Sequence, residues 1–248
     1  MTPDLDRLHE LLDASPGLAR RPAGGVAEPD LRRAEERVGP LPASYRWWLA
    51  EYGVGWIGGE QLATVAAPGF DDEHDAITAP WRHDGQRLCF FTDADGDAYS
   101  YALDRRCGDE LPVVRRSALD GVEDDVADSF AGFLAVTDAL ARGLGDGPNP
   151  TVARLWRATP GLLRDDGMLI YGPHVIQERN ETFEVADYAP EWVLVGDDSG
   201  GNGLLMRQHG RDRSSVWLLD LGAISENIED DGELVTDDLI GWLEHRPS

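Results

Sequence analysis

Apolar positions fall at helical spacing three times in the first fifty residues. In DLDRLHELLDA, Leu5, Leu8 and Leu12 share one face. In EPDLRRAEERVG, Leu31, Ala34 and Val38 keep the period, Pro29 suits a first turn and Gly39 ends the run. LPASYRWWLAEYG restarts at Pro42, spaces Tyr45, Trp48, Leu49 and Tyr52 at i, i+3, i+4, i+7, and stops at Gly53. The pattern then changes to short apolar runs bounded by turn residues. These predict strands at WIGGEQL, LCFFT (88–92), AYSYAL (98–103) and PVVRRS (112–117), with DADGD (93–97) as a hairpin turn. DVADSFAGFLAVTDALARG closes this half as a helix expected to bury Val126, Phe130, Phe133, Leu134 and Leu140.

The order recurs in shorter form. TVARLWRA reads as a helix and MLIY (168–171) as a strand. WVLVG (192–196), the turn DDSGGN (197–202), GLLMRQ (203–208) and SVWLLDL (215–221) read as an antiparallel meander. TDDLIGWLEH is a closing helix with Thr236 as cap and Leu239, Ile240 and Leu243 inward, and IEDDGE before it reads as a polar loop. Between the halves, GLGDGPNPT (143–151) concentrates Gly and Pro. The expected architecture is α+β: two domains, each an antiparallel β-sheet packed against N- and C-terminal helices. Their bounds are 1–145 and 151–248, joined by a linker over 146–150.

Charge changes the picture more than any motif. Asp and Glu number 47 against 22 basic residues, all of them Arg, for a net −25. The excess belongs to both halves: 28 acidic against 14 basic residues in 1–150, and 19 against 8 in 151–248. Such a field repels nucleic acid and anionic membranes, and speeds encounter with cationic surfaces. Two cysteines, Cys89 in an apolar run and Cys107 in a polar turn, are too few for a disulfide framework. The opening residues carry early acids and no apolar signal core, and no run is long enough to span a bilayer, so a cytoplasmic location is expected.

EPDLRRAEERVG-PLPASYRWWLAEYG and FFTDADGDAYSYALD followed by ELPV resemble the SUKH superfamily (the Smi–Knr family). MLIYGPHVIQERNETFEVADYAPEWVLVGDDSGGNGLLMRQ and SVWLLDLGAI resemble a branch with an ERNETYEV-like stretch and a GDDSGG turn. The two stretches cover roughly 26–142 and 151–245. The second lacks the Leu-Pro helix start, having WRATPGLLRDDG there, so its N-terminal helical layer is expected to be abbreviated or partly supplied by the first domain. The resemblance implies two tandem SUKH-like domains and a non-enzymatic protein-binding fold. Many bacterial members of that family resemble immunity proteins that neutralise a cognate polymorphic toxin, and fungal relatives act in cell-wall regulation. A toxin with a cationic surface, a nuclease among the candidates, fits both the resemblance and the charge. An intracellular scaffold or regulator with an endogenous partner is the alternative.

No constellation demands chemistry or a cofactor. Asp93, Asp95, Asp97 and Asp104 fall where a calcium loop wants oxygens, but Ala98 stands at the glycine position and strands flank the segment. GDDSGGN has no phosphate-loop spacing, and Asp197 and Asp198 would repel an anion; a turn with positive φ at Gly200 and Gly201 is expected. The six histidines lack zinc spacing, His74 and His83 lie in the acidic loop FDDEHDAITAPWRHDG, and no GxSxG elbow occurs. The candidate partner-binding residues are therefore two aromatics and the acidic turns. They are Trp47 off the apolar stripe, Trp81 in TAPWRHDG, the loop Asp71, Asp72, Glu73 and Asp75, the turn Asp93, Asp95 and Asp97, and the turn Asp197 and Asp198.

Overall fold

The computed structural model describes residues 1–20, 24–65 and 81–245. It contains helices and antiparallel sheets, an α+β architecture. Two compact units emerge, one formed by residues 15–134 and the other by 3–14 with 135–248. Compactness thus divides the chain inside its central helix rather than at 146–150. It also groups α1 (Leu5–Ala14), which buries Leu8, Leu11 and Leu12, with the second half. Asp4 caps α1 through its carboxylate, and the same carboxylate accepts from the Leu163 backbone N–H.

In the 15–134 unit, β1 (Leu18–Arg20) precedes α2 (Glu28–Val38) and α3 (Ala43–Glu51). The first turn of α3 has no side-chain cap of its own. Its orphan donors go instead to 109–110: Ala43 N–H to the Asp109 carbonyl at 2.9 Å, and Ser44 N–H and Oγ to the buried Glu110 carboxylate at 2.7 and 3.0 Å. A hairpin of β2 (Gly55–Ile57) and β3 (Glu60–Gln61) completes a small sheet with β1. The main sheet runs β4 (Arg82–His83), β5 (Arg87–Thr92), β6 (Ala98–Ala102), β7 (Val113–Arg116) and β8 (Glu123–Ala127) in spatial order. Tyr45, Trp48, Phe90, Tyr101, Phe130 and Phe133 form its aromatic core.

The closing helix α4 (Phe130–Ala141) starts later than its sequence suggests, because Ser129 Oγ caps Gly132 N–H at 2.9 Å. Val126 therefore sits in β8, and Leu140 is 58% exposed rather than buried.

The other unit continues with α5 (Pro150–Ala158), β9 (Leu162–Leu163), β10 (Leu169–Ile170), α6 (Pro173–Thr182) and α7 (Val185–Tyr188). The meander β11 (Trp192–Asp197), β12 (Asn202–Arg207) and β13 (Val216–Asp220) follows. The chain ends with α8 (Ile228–Asp231), β14 (Glu233–Thr236) and α9 (Leu239–Glu244). The sheet order is β14-β13-β12-β11-β10-β9. Thr236 lies in β14 and Asp238 is the N-cap position of α9. IEDDGE is not simply a loop, since Ile228 is fully buried at the start of α8. The stretch over 146–150 is pinned as well. Asn149 accepts from Thr151 and Val152 N–H to cap α5, and donates to the Arg207 carbonyl at 3.0 Å.

Several devices recur between the halves. The β5–β6 register breaks around Phe90, and the β11–β12 register breaks around Val195, each three residues before the aspartate that opens the turn. Each bulge frees a carbonyl for a third segment: Phe90 O accepts from Ala63 N–H at 2.7 Å, and Val195 O from Tyr171 N–H at 2.8 Å. The carbonyls of Ala63 and Tyr171 each accept from an aromatic side chain on a helix, Tyr45 OH in one case and Trp156 Nε1 in the other. A second register break follows in each meander, at Val113/Val114 in β7–β8 and at Val216/Trp217 in β13–β14.

Candidate protein-interaction surface

The two acidic turns have the same construction. Asp93 Oδ1 accepts the N–H groups of Asp95 and Asp97 at 3.1 and 2.9 Å, and Tyr99 OH donates to Asp93 Oδ2 at 3.2 Å. Asp198 Oδ1 accepts from Gly200 and Asn202 N–H at 2.7 and 2.9 Å, while Asn202 Nδ2 donates to its Oδ2 at 2.6 Å. The Asn202 amide and these N–H groups stabilise the charged form and hold the Asp198 carboxyl below its ordinary pKa. Asp97 accepts from Ala118 N–H and lies near Arg115; Asp197 accepts from Ser199 N–H and from Tyr171 OH. Four of these five carboxylates spend their lone pairs on folding the turns. Of the five, Asp95 alone offers a carboxylate engaged by no described residue. The positive φ in the second turn falls on Ser199 and Gly201, not on Gly200.

The aromatic candidates are half-buried. Trp47 packs edge-on against Tyr52 with centroids 5.9 Å apart. Trp81 Nε1 donates to Tyr45 OH at 2.9 Å, tying it to the core; burial lifts the Tyr45 hydroxyl well above the usual phenol range. Asp71, Asp72, Glu73 and Asp75, with His74, lie outside the described residues. Elsewhere on the 15–134 unit many carboxylates are neutralised locally. Arg87 holds Glu123 and Asp104, Arg105 holds Asp125, Arg115 holds Asp124, and Arg46 holds Glu28 and Glu35.

The 135–248 unit is different around α6 and α7, where sequence reasoning had placed no helix. Glu178, Glu181, Glu184 and Asp187 follow one another at intervals of three, all exposed, and none forms an ion pair with a described residue. Glu184 stands at the joint between the helices with φ 52°. Beside this row lies a groove of about 550 Å³. Its apolar lining comes from Leu144, Pro148, Ile176, Ala186, Trp192 and Val193, and Glu181, Glu184 and Asp187 stand on its rim. The polar lining is already spent. Gln177 donates to Glu181 at 2.9 Å and Gln208 to the Trp192 carbonyl at 2.8 Å. Asn180 bonds the Ile176 and Leu194 carbonyls and accepts from Leu194 N–H. The groove therefore presents an undirected apolar floor with a negative edge. Pro173 at a first helical turn, followed by the helix formers Gln177, Glu178, Arg179 and Glu181, was the sequence signal for α6.

Residues 28–134 match the family model SUKH_6, described as SMI1-KNR4 cell-wall. The match supports SUKH superfamily membership for this segment. The SUKH match spans α2, α3 and β2 through β8, and ends within the first turn of α4, just under half of the chain. SUKH proteins are generally non-catalytic immunity or regulatory proteins that bind protein partners, toxins among them. Among the described residues no group of three His, Cys, Asp or Glu could hold a metal ion, and no helix is long and apolar enough to cross a membrane. Cys89 is half-buried and Cys107 exposed, and both are free.

Proposed function

We propose that this SUKH protein is an immunity protein. It binds a cationic polymorphic toxin in the cytoplasm, covers the toxin's working surface, and carries out no chemistry itself. The observation that carries this reading is the contrast between two kinds of acid. Among the described residues of the 15–134 unit most carboxylates are bonded to arginines or to their own turns, whereas no carboxylate of the α6–α7 row forms an ion pair with a described residue. Unpaired carboxylates on a background of −25 accelerate encounter with a basic partner, and pairing with its Arg or Lys then slows release. We further propose that the two halves are two copies of one domain. The matching bulges, turn carboxylates and aromatic-to-carbonyl bonds support that reading. Residues 151–245 would be the second copy, with α1 contributing to its helical layer.

Co-expression tests the function. Cells producing the toxin encoded at the same locus should grow when this protein is present and die without it; death in both cases would refute the immunity role. The cell-wall wording of the matched family model favours a second reading, a regulator or scaffold with an endogenous partner. On that reading deletion would alter wall integrity with no toxin present.

A further inference from the structure

We infer that the groove beside α6 and α7 is the anchoring site for a short basic segment of the partner, which inserts one bulky apolar side chain and lays Arg or Lys along the rim. This inference rests on the protein-binding reading above and specifies what is bound, and where.

The groove's chemistry excludes most other occupants. At about 550 Å³ it exceeds a single side chain and suits a few residues of peptide. A small polar ligand would need convergent donors or acceptors at the floor. Gln177, Asn180 and Gln208 are the polar groups there, and all three are engaged within the protein. What is left for a ligand is apolar surface, chiefly from Leu144, Pro148 and Ala186 over the buried Ile176, Trp192 and Val193, which rewards a well-shaped hydrophobic side chain. An anionic or neutral polar segment would meet Glu181, Glu184 and Asp187 without compensation, whereas a basic one is complementary to all three. Among the described residues no cation is part of the lining, and Arg207, which stacks on Trp192, is paired with Glu229. Tyr188, 52% exposed at the end of α7, adds an aromatic surface next to the acidic row, of the kind that anchors interfaces.

The test presents the full-length protein with a random peptide display library. Enriched peptides should share one Leu, Phe, Ile or Trp flanked by Arg or Lys. A synthetic copy should shift the NMR signals of the Leu144, Ile176 and Val193 methyl groups. Enrichment should fall at least about tenfold for the triple variant Glu181→Lys, Glu184→Lys, Asp187→Lys. It should also fall for Ala186→Phe, which obstructs the groove while leaving its charge alone, and both variants should keep the wild-type thermal midpoint. If a variant fails to fold, the methyl shifts of the wild type alone decide. Peptides without basic residues, shifts elsewhere on the protein, or no enrichment above background would overturn the inference. Those failures are distinct from failure of the immunity role, which is read from toxin protection by the wild type. A groove that takes basic peptides in a protein that does not protect would refute the immunity role and leave this inference standing.

Discussion

Asn180 should be the costliest polar residue to remove near the groove. Leu194 in β11 pairs with Leu205 of β12 on one side, and on the other its N–H and C=O are both satisfied by the Asn180 side chain, at 2.9 and 2.8 Å. Asn180 therefore acts as a one-residue strand partner that fastens α6 to the sheet. Asn180→Leu keeps the side chain's bulk and leaves those two backbone groups unpaired. Each costs about 1–3 kcal/mol when water cannot replace the partner. The site is only partly buried, so we expect a loss of about 2–4 kcal/mol, read as a lower urea midpoint at unchanged slope. Asn180→Asp keeps the acceptor for Leu194 N–H but sets a carboxylate against the Leu194 and Ile176 carbonyls. Its carboxyl pKa is raised by that repulsion, so its penalty should stand at neutral pH and shrink as pH falls and the protonated carboxyl becomes a donor. A Leu variant within about 0.5 kcal/mol of wild type would refute the account of how α6 is held.

Glu110→Ala should lower stability by about 1–3 kcal/mol, because Ser44 N–H at the start of α3 loses its acceptor; Glu110→Gln should cost less, a comparison made by chemical denaturation. His174 gives a pH signature. Both ring nitrogens are buried without a described partner, and burial pulls its pKa from 6.5 to about 4, with Asp138 opposing that shift and Arg142 and Arg7 adding to it. The unfolded chain takes up that proton first, so stability is intact above pH 6.5 and falls by up to about 3 kcal/mol towards pH 4. His174→Leu should flatten that part of the stability–pH curve, and an unchanged curve would show that His174 is not its source. Calcium at millimolar concentration should leave the melting temperature unshifted, since Asp93 is already occupied by two N–H groups and Tyr99; a rise of several degrees would restore the calcium-loop reading.

The helices with a clean apolar stripe were legible in the sequence, and so were the hairpins around DADGD and DDSGGN, because period and turn chemistry act locally. What escaped was decided by tertiary partners. EDDVA is a poor strand by composition, yet it pairs with Val113–Arg116, where Arg115 takes Asp124 at 3.0 Å. ELVT became a strand by pairing with β13. The acidic turns were correctly read as turns, but the carboxylates that made them look like binding patches are the groups that fold them. A row of exposed acids with no ion pair to a described residue sits instead on α6 and α7. Their isolation from arginine is a property of three-dimensional arrangement that no spacing along the chain encodes. The groove is likewise assembled from α6, α7, the start of β11 and the loop over 144–148, which meet only in the fold.

The central claim is that unpaired carboxylates on α6 and α7 hold a cationic toxin. Its most direct test is the Kd for the purified toxin domain, measured for the wild type and for Glu181→Lys, Glu184→Lys, Asp187→Lys at about 50 and about 200 mM salt. The account predicts that wild-type binding weakens as salt rises. It predicts that the variant binds at least about tenfold more weakly at low salt and loses most of that dependence. Equal affinities for the two proteins, at both salt concentrations, would contradict it.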